Sequence, residues 1–298
     1  KAAVDKIQKL TAKNLDFNKY KKQIEVATTG QRVNEGHPNY ETKKIFAALV
    51  ATLKDIASAN KNSLSDSDKD KLQAAIAEKL AQIMQGRTVY RDDGSVCFDA
   101  DGNFIAPMTT VCSKWVAINA YIMGVTKQGT ASSKTRNEYL NGYNCMDYLP
   151  EVYKYGSYKP NIVDNPNLTE AQRLKLLKEK EWGTTDMANN PELFKFTGIN
   201  QDTMKDWVNN KRQFLNQLQS LEGKVFFYSL NPYDGTSYKK YMHTGVLGNY
   251  NPITGMITIT ESTSGTGTSG FQVNTIPVEQ LLTYFPLFDV YSYNYTKS

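Results

Sequence analysis

The chain has 298 residues, 40% hydrophobic and 22% charged, which excludes a disordered chain, a collagen-like chain and a disulfide miniprotein and fits one large or two ordinary domains. Lys and Arg number 35 against 30 Asp and Glu, and these charges are spread without a dense basic block, so no nucleic-acid arm is expected. No apolar run approaches the ~20 residues that cross a bilayer, so no membrane span is expected.

The first part of the chain is helical in pattern. Residues 2–27 carry Val4, Ile7, Leu10, Phe17, Tyr20 and Ile24 and read as one or two helices. Residues 41–59 place Ile45, Leu49, Leu53 and Ile56 on one stripe, and residues 66–85 do the same with Leu72, Ile76, Leu80 and Ile83. Ser65 is placed to cap the latter helix, with Asp68 as its box partner and Gly86 as its end. Together these make a small bundle over residues 1–86, read as a packing module or one that docks another protein. The acidic run at Asp66 fails as a calcium loop, because Lys71 and Ala77 stand where Gly and Glu are required.

The second part, 87–298, is mixed. Residues 96–105 read as a hairpin turning at Asp101-Gly102, and a helix follows from Cys112 to Met123. A Tyr- and Asn-rich stretch at 125–168 has few periodic signals. Helices are expected at 170–182, capped by Thr169, and at 201–222, burying Met204, Trp207, Leu215 and Leu218 and closed by Gly223. The period then changes to two, with strands expected at 224–229, 241–247, 256–262, 271–276 and 288–295. Helices first and an antiparallel meander after them make an α+β fold.

The chemistry rests on few residue types. There are three cysteines, Cys97, Cys112 and Cys145, and two histidines, His37 and His243. No CxxC or HExxH pair exists, so no metal site is expected, and no GxSxG or GxxxxGK[ST] motif is present. No cofactor is expected. Cys112 opens a helix that is apolar on nearly every face, through Trp115, Val116, Ile118, Ala120, Tyr121, Ile122 and Met123. Such a helix is central and buried. Its first turn presents unsatisfied N–H groups and the positive end of the dipole, which favour a thiolate there. The bland alternative is a small buried hydrophobe.

A thiolate nucleophile needs a base. His37, in GHPNY, reads as a surface loop residue. His243 begins a strand, in MHTGVLGNY, where a polar side chain needs a partner. A hairpin turning near Pro252 sets His243 opposite Glu261, with Cβ atoms ~5 Å apart. That carboxylate would accept the imidazole N–H and fix its tautomer. A slip of one residue would bring Thr260 or Ser262 opposite instead and flip the face. The loop at 262–270, STSGTGTSG, reads either as a plain hairpin loop or as a gate beside Glu261.

A cysteine opening a buried helix, then EGKVFFYSL at 222–230, then MHTGVLGNY at 242–250, resembles the NlpC/P60 superfamily over about residues 108–280. These are papain-like cysteine peptidases and amidases of bacterial cell walls. The resemblance implies a papain-like domain, its central helix packed on an antiparallel sheet, with a helical insertion at about 125–222. Carried over, Cys112 is the nucleophile, His243 the base and Glu261 the orienting residue, an acidic third member as in CHAP amidases. It implies hydrolysis of peptidoglycan peptide or amide bonds in an exported protein of the periplasm, cell surface or extracellular space. The chain begins at Lys1, as a processed export product or a trimmed chain would. In an oxidising compartment Cys97 and Cys145 would either pair or both remain buried thiols. Val111 before the cysteine and Lys224 after Gly223 depart from the family pattern. They keep open an inactive envelope-binding or scaffold protein on the same fold, and a deamidating or acyl-transferring toxin is a third option.

Overall fold

The computed structural model describes residues 1–28, 34–87, 112–125, 165–169, 171–172, 188–189, 191, 193–229, 241–263, 270–283 and 287–295. The 96–105 hairpin, nearly all of the Tyr- and Asn-rich stretch, the 170–182 helix beyond its start, most of the 262–270 loop, Cys97 and Cys145 lie outside the described residues.

The N-terminal helices are α1 (Ala2–Gln8), α2 (Lys21–Thr28), α3 (Tyr40–Asn60) and α4 (Asp66–Met84). On α3 the stripe Ile45, Leu49, Leu53 and Ile56 is buried, and Phe46 and Val50 widen it. On α4, Leu72, Ile76 and Leu80 are buried as expected. Ile83 is only half-buried, and Met84 takes the core position in its place. The Ser65 side chain accepts from the Asp68 N–H and so satisfies one of the orphan donors at the α4 start. Helix α5 (Cys112–Ile122) runs through the middle. Trp115, Val116, Ala117, Ile118, Ala120, Ile122 and Met123 are all buried, so its apolar circumference matches its surroundings.

The strands are β1 (Phe194–Asn200), β2 (Val225–Ser229), β3 (His243–Asn251), β4 (Met256–Thr263), β5 (Gly270–Pro277) and β6 (Leu287–Tyr293). They form one six-stranded antiparallel sheet in the order β1-β6-β2-β3-β4-β5. The fold is therefore α+β. Strands β2 to β5 make a meander, but β6 returns to the far side of β2 rather than extending the meander past β5. There Phe288 stacks on Phe226 with ring centroids 5.5 Å apart. Strand β1 was not expected. Its alternation is broken by Gly198, at φ 82, where the pairing with β6 shifts between Phe196 and Ile199.

The single helix expected at 201–222 is two, α6 (Gln201–Asn209) and α7 (Leu215–Gln219). The polar run Asn209, Asn210 and Lys211 interrupts it, and Asn210 leaves the helical conformation while its amide donates to Gln213 Oε1 at 2.6 Å. Trp207 is accordingly only half-buried. Thr169 and Gln172 make both halves of a capping box, at 3.2 and 2.9 Å.

The pleat sends successive side chains to opposite faces of the sheet. Val225 and Phe227 of β2 and Val246 of β3 join an apolar core with α1 to α5. Phe226 and Leu247 join a second core with α6, α7 and α8 (Gln280–Thr283). The N-terminal bundle therefore shares its core with α5 and one face of the sheet.

Candidate active site

Helix α5 carries Cys112 as its first residue, with its C-terminal end tied down by Lys54 of α3 and by Lys61, the residue after that helix. Lys54 Nζ donates to the Tyr121 carbonyl at 2.9 Å and Lys61 Nζ to the Met123 carbonyl at 3.3 Å. These cations sit at the negative end of the helix dipole, where Lys54 shares the Tyr121 carbonyl with the Gly124 N–H. Burial lowers both lysine pKa values, and the charge of a neighbouring lysine lowers each further. At the other end, Trp115 Nε1 donates to Thr260 Oγ1 at 3.3 Å, and its ring packs 5.0 Å from that of Phe271. This contact fixes the first turn of α5 against the residue preceding Glu261.

His243 is the first residue of β3 and pairs with Tyr228 across β2. Its ring lies 5.2 Å from the Tyr228 ring and 6.1 Å from the Phe226 ring, centroid to centroid. Nε2 lies 2.5 Å from Glu261 Oε2, and the Cys112 side chain is hydrogen-bonded to the same imidazole. Nε2 is taken by the carboxylate, which leaves Nδ1 for the sulfur. The His243 and Glu261 side chains are 13% and 14% exposed, so their interaction is little screened. Burial alone would lower the His243 pKa. The hydrogen bonds and negative charges of Cys112 and Glu261 outweigh it and carry the value up to about 9. The same surroundings, burial first and then the charges of Glu261 and Cys112, push the Tyr228 phenol up to about 12.

The expected register of the β3–β4 hairpin is corrected. Val246 faces Thr260 rather than Thr258, and a bulge between Leu247 and Tyr250 shifts the pairing again toward the turn. The turn lies nearer Thr254 than Pro252, with Gly255 at φ 70. By that register Glu261 falls across from Gly245, two residues beyond His243. A shift of two keeps the face, so the contact forms on the diagonal. Gly245 also admits the Phe226 ring, since a Cβ there would lie 2.7 Å from Phe226 Cζ and 2.7 Å from the Thr260 carbonyl oxygen.

Cys112, His243 and Glu261 are thus brought together, and Cys112 is half-buried. His37 is apart, in a turn where its Nδ1 accepts from the Asn39 N–H at 3.0 Å. Sequence reasoning missed Tyr228, Trp115 as a tie to β4, and Asn274, whose Nδ2 donates to Glu261 Oε1 at 3.2 Å. The signal for Asn274 was two polar residues, Gln272 and Asn274, at strand period beside the hairpin. Among the described residues no group of three or more His, Cys, Asp or Glu side chains could hold a metal ion. Among them also no helix is long and apolar enough to cross a membrane.

Chemically, the arrangement can pass the thiol proton to an imidazole, hold the ion pair with a carboxylate, and leave the sulfur as a nucleophile. Comparison with protein-family models, with curated proteins and with solved structures finds no match.

Proposed function

We propose that the protein is a cysteine hydrolase of peptide or amide bonds, with Cys112 as nucleophile, His243 as base and acid, and Glu261 as the residue that orients the imidazole. The observation that carries this reading is the continuous link from a cysteine at a helix start, through His243, to a carboxylate 2.5 Å from Nε2. In this mechanism His243 holds the proton from Cys112 and the thiolate attacks the amide carbonyl carbon, forming the C–S bond. The Cys112 backbone N–H, at the first position of its helix, would stabilise the oxyanion together with the positive end of the helix dipole. His243 returns its proton to the leaving amine as the C–N bond breaks. It then takes a proton from water, which cleaves the thioester and restores the thiol.

The order of these residues and the strands that carry them support a papain-like domain similar to NlpC/P60 hydrolases, acting on peptidoglycan peptides in an exported setting. The net charge of +5 suits an anionic wall. Lys224, where the family pattern has Asp, has a structural use here: its Nζ lies 3.2 Å from Asp70 Oδ2 and 2.6 Å from the Ser220 carbonyl.

The test is the rate of iodoacetamide alkylation of each cysteine against pH, located by mass spectrometry, in wild type and His243→Ala. Cys112 is expected to react fastest in mildly acid solution and to lose that advantage in the variant. Purified peptidoglycan fragments are then expected to release new amino groups with wild type and not with Cys112→Ala. A Cys112 inert in both proteins sinks the proposal.

A further inference from the structure

We infer that Asn274 is a positioning residue of this site, its side-chain amide holding the Glu261 carboxylate in the orientation that faces His243. The inference rests on the catalytic reading above and adds a member to it. Across the β4–β5 ladder Glu261 faces Gln272, and Asn274 is the next residue of β5 on the same face. Asn274 Nδ2 lies 3.2 Å from Glu261 Oε1 and 3.1 Å from Gln272 Oε1. An amide nitrogen has two hydrogens, and both have acceptors here. An ionised carboxylate only accepts, so the amide must turn its nitrogen toward Glu261.

Each Glu261 oxygen then has its own partner, Asn274 on Oε1 and His243 on Oε2. A glutamate has enough rotamer freedom to swing away from one partner, and a hold at the second oxygen removes that freedom. The carboxylate so held is the group whose hydrogen bond and charge raise the basicity of His243. Among the described residues the titratable groups around the imidazole are Cys112 of α5, Tyr228 of β2 and Glu261 of β4. From β5 the neighbours Gln272 and Asn274 are uncharged, so Asn274 acts by orientation and not by its own titration.

The test uses the full chain. The protein has two histidines, so His243 can be followed by NMR titration with His37 as internal standard. Asn274→Ala is expected to lower the His243 pKa by about half a unit or more, a roughly threefold loss of proton affinity, because burial then meets less opposition. Cys112 alkylation at about pH 6 is expected to slow by a similar factor. In a Glu261→Gln background the same substitution is expected to move neither quantity, which a merely structural role would not produce. An unmoved His243 and Cys112 in Asn274→Ala overturn the inference while the dyad stands. Equal shifts with and without Glu261 overturn it too. An ordinary thiol profile for Cys112 in wild type overturns the catalytic reading and this inference together.

Discussion

The proton shared between Cys112 and His243 is governed by two opposed effects. Burial disfavours the imidazolium, whereas the Cys112 and Glu261 contacts favour it, and the contacts win to place the pKa at about 9. In the proposed mechanism His243 must be protonated to return a proton to the leaving amine, so acylation should fall away as pH rises through about 9. Glu261→Gln removes one of the favourable charges and leaves burial in place. The alkaline limb of kcat/KM should then move to lower pH, by about one unit or more. A limb that stays in place would show that Glu261 does not act on His243. In His243→Ala the onset of Cys112 alkylation should rise toward that of an ordinary thiol, near ~8.5. Tyr228, held up to about 12, stays protonated across this range and contributes no limb of its own.

At the scale of elements, the site depends on how closely strands and helices approach one another. Gly245 lies where a Cβ would press on the Phe226 ring and on the Thr260 carbonyl, both at 2.7 Å. Gly245→Ala should cost about 1–3 kcal/mol in denaturant unfolding and should also slow Cys112 alkylation, because it separates β3 from the strand carrying Glu261. Gly223 is a stricter case. It has φ +83, and a Cβ there would lie 1.9 Å from the Asp70 carbonyl oxygen, in the backbone of α4. Gly223→Ala combines a left-handed backbone with a backbone collision and should cost ~3 kcal/mol or more, read in the same unfolding experiment. The closing glycine expected after residue 222 is therefore also the point where α4 and the start of β2 meet.

For the molecule as a whole, the tie between bundle and sheet is polar as well as apolar. Asp70 of α4 accepts from Tyr295 at 2.7 Å and pairs with Lys224 at 3.2 Å, the two charged side chains being 11% and 16% exposed. Burial raises the Asp70 pKa, and Lys224 and Tyr295 only partly oppose it. The folded state thus binds this proton more tightly than the unfolded state. The stability so gained is full below the unfolded pKa and is lost as pH rises through the folded one. Asp70→Asn should remove that slope, so wild type should lose stability relative to the variant as pH rises above about 4. Asp70→Ala leaves the half-buried Lys224 ammonium with only the Ser220 carbonyl and should cost about 1–3 kcal/mol at neutral pH. The apolar part of the tie is broader, since Phe46, Leu49, Leu72 and Ile76 share one core with Trp115, Val246 and Phe271. A chain lacking residues 1–86 should therefore lose its cooperative unfolding transition and its near-UV circular dichroism.

What the sequence determined by itself was local. The helix stripes of α3 and α4, the all-round apolar α5, the five strands from β2 onward and the order Cys112, His243, Glu261 follow from periods of 3.6 and 2 and from residue type. Such signals involve neighbours a few positions apart, so they survive without the rest of the fold. Tertiary structure alone decided the two-residue register shift that makes the His243–Glu261 contact diagonal, the return of β6 beside β2, the edge strand β1 and the break between α6 and α7. It also brought Asn274 to Glu261 and Lys224 to Asp70. These depend on how distant segments close against one another, where a bulge, a missing Cβ or one buried ion selects among alignments that local periodicity leaves equivalent.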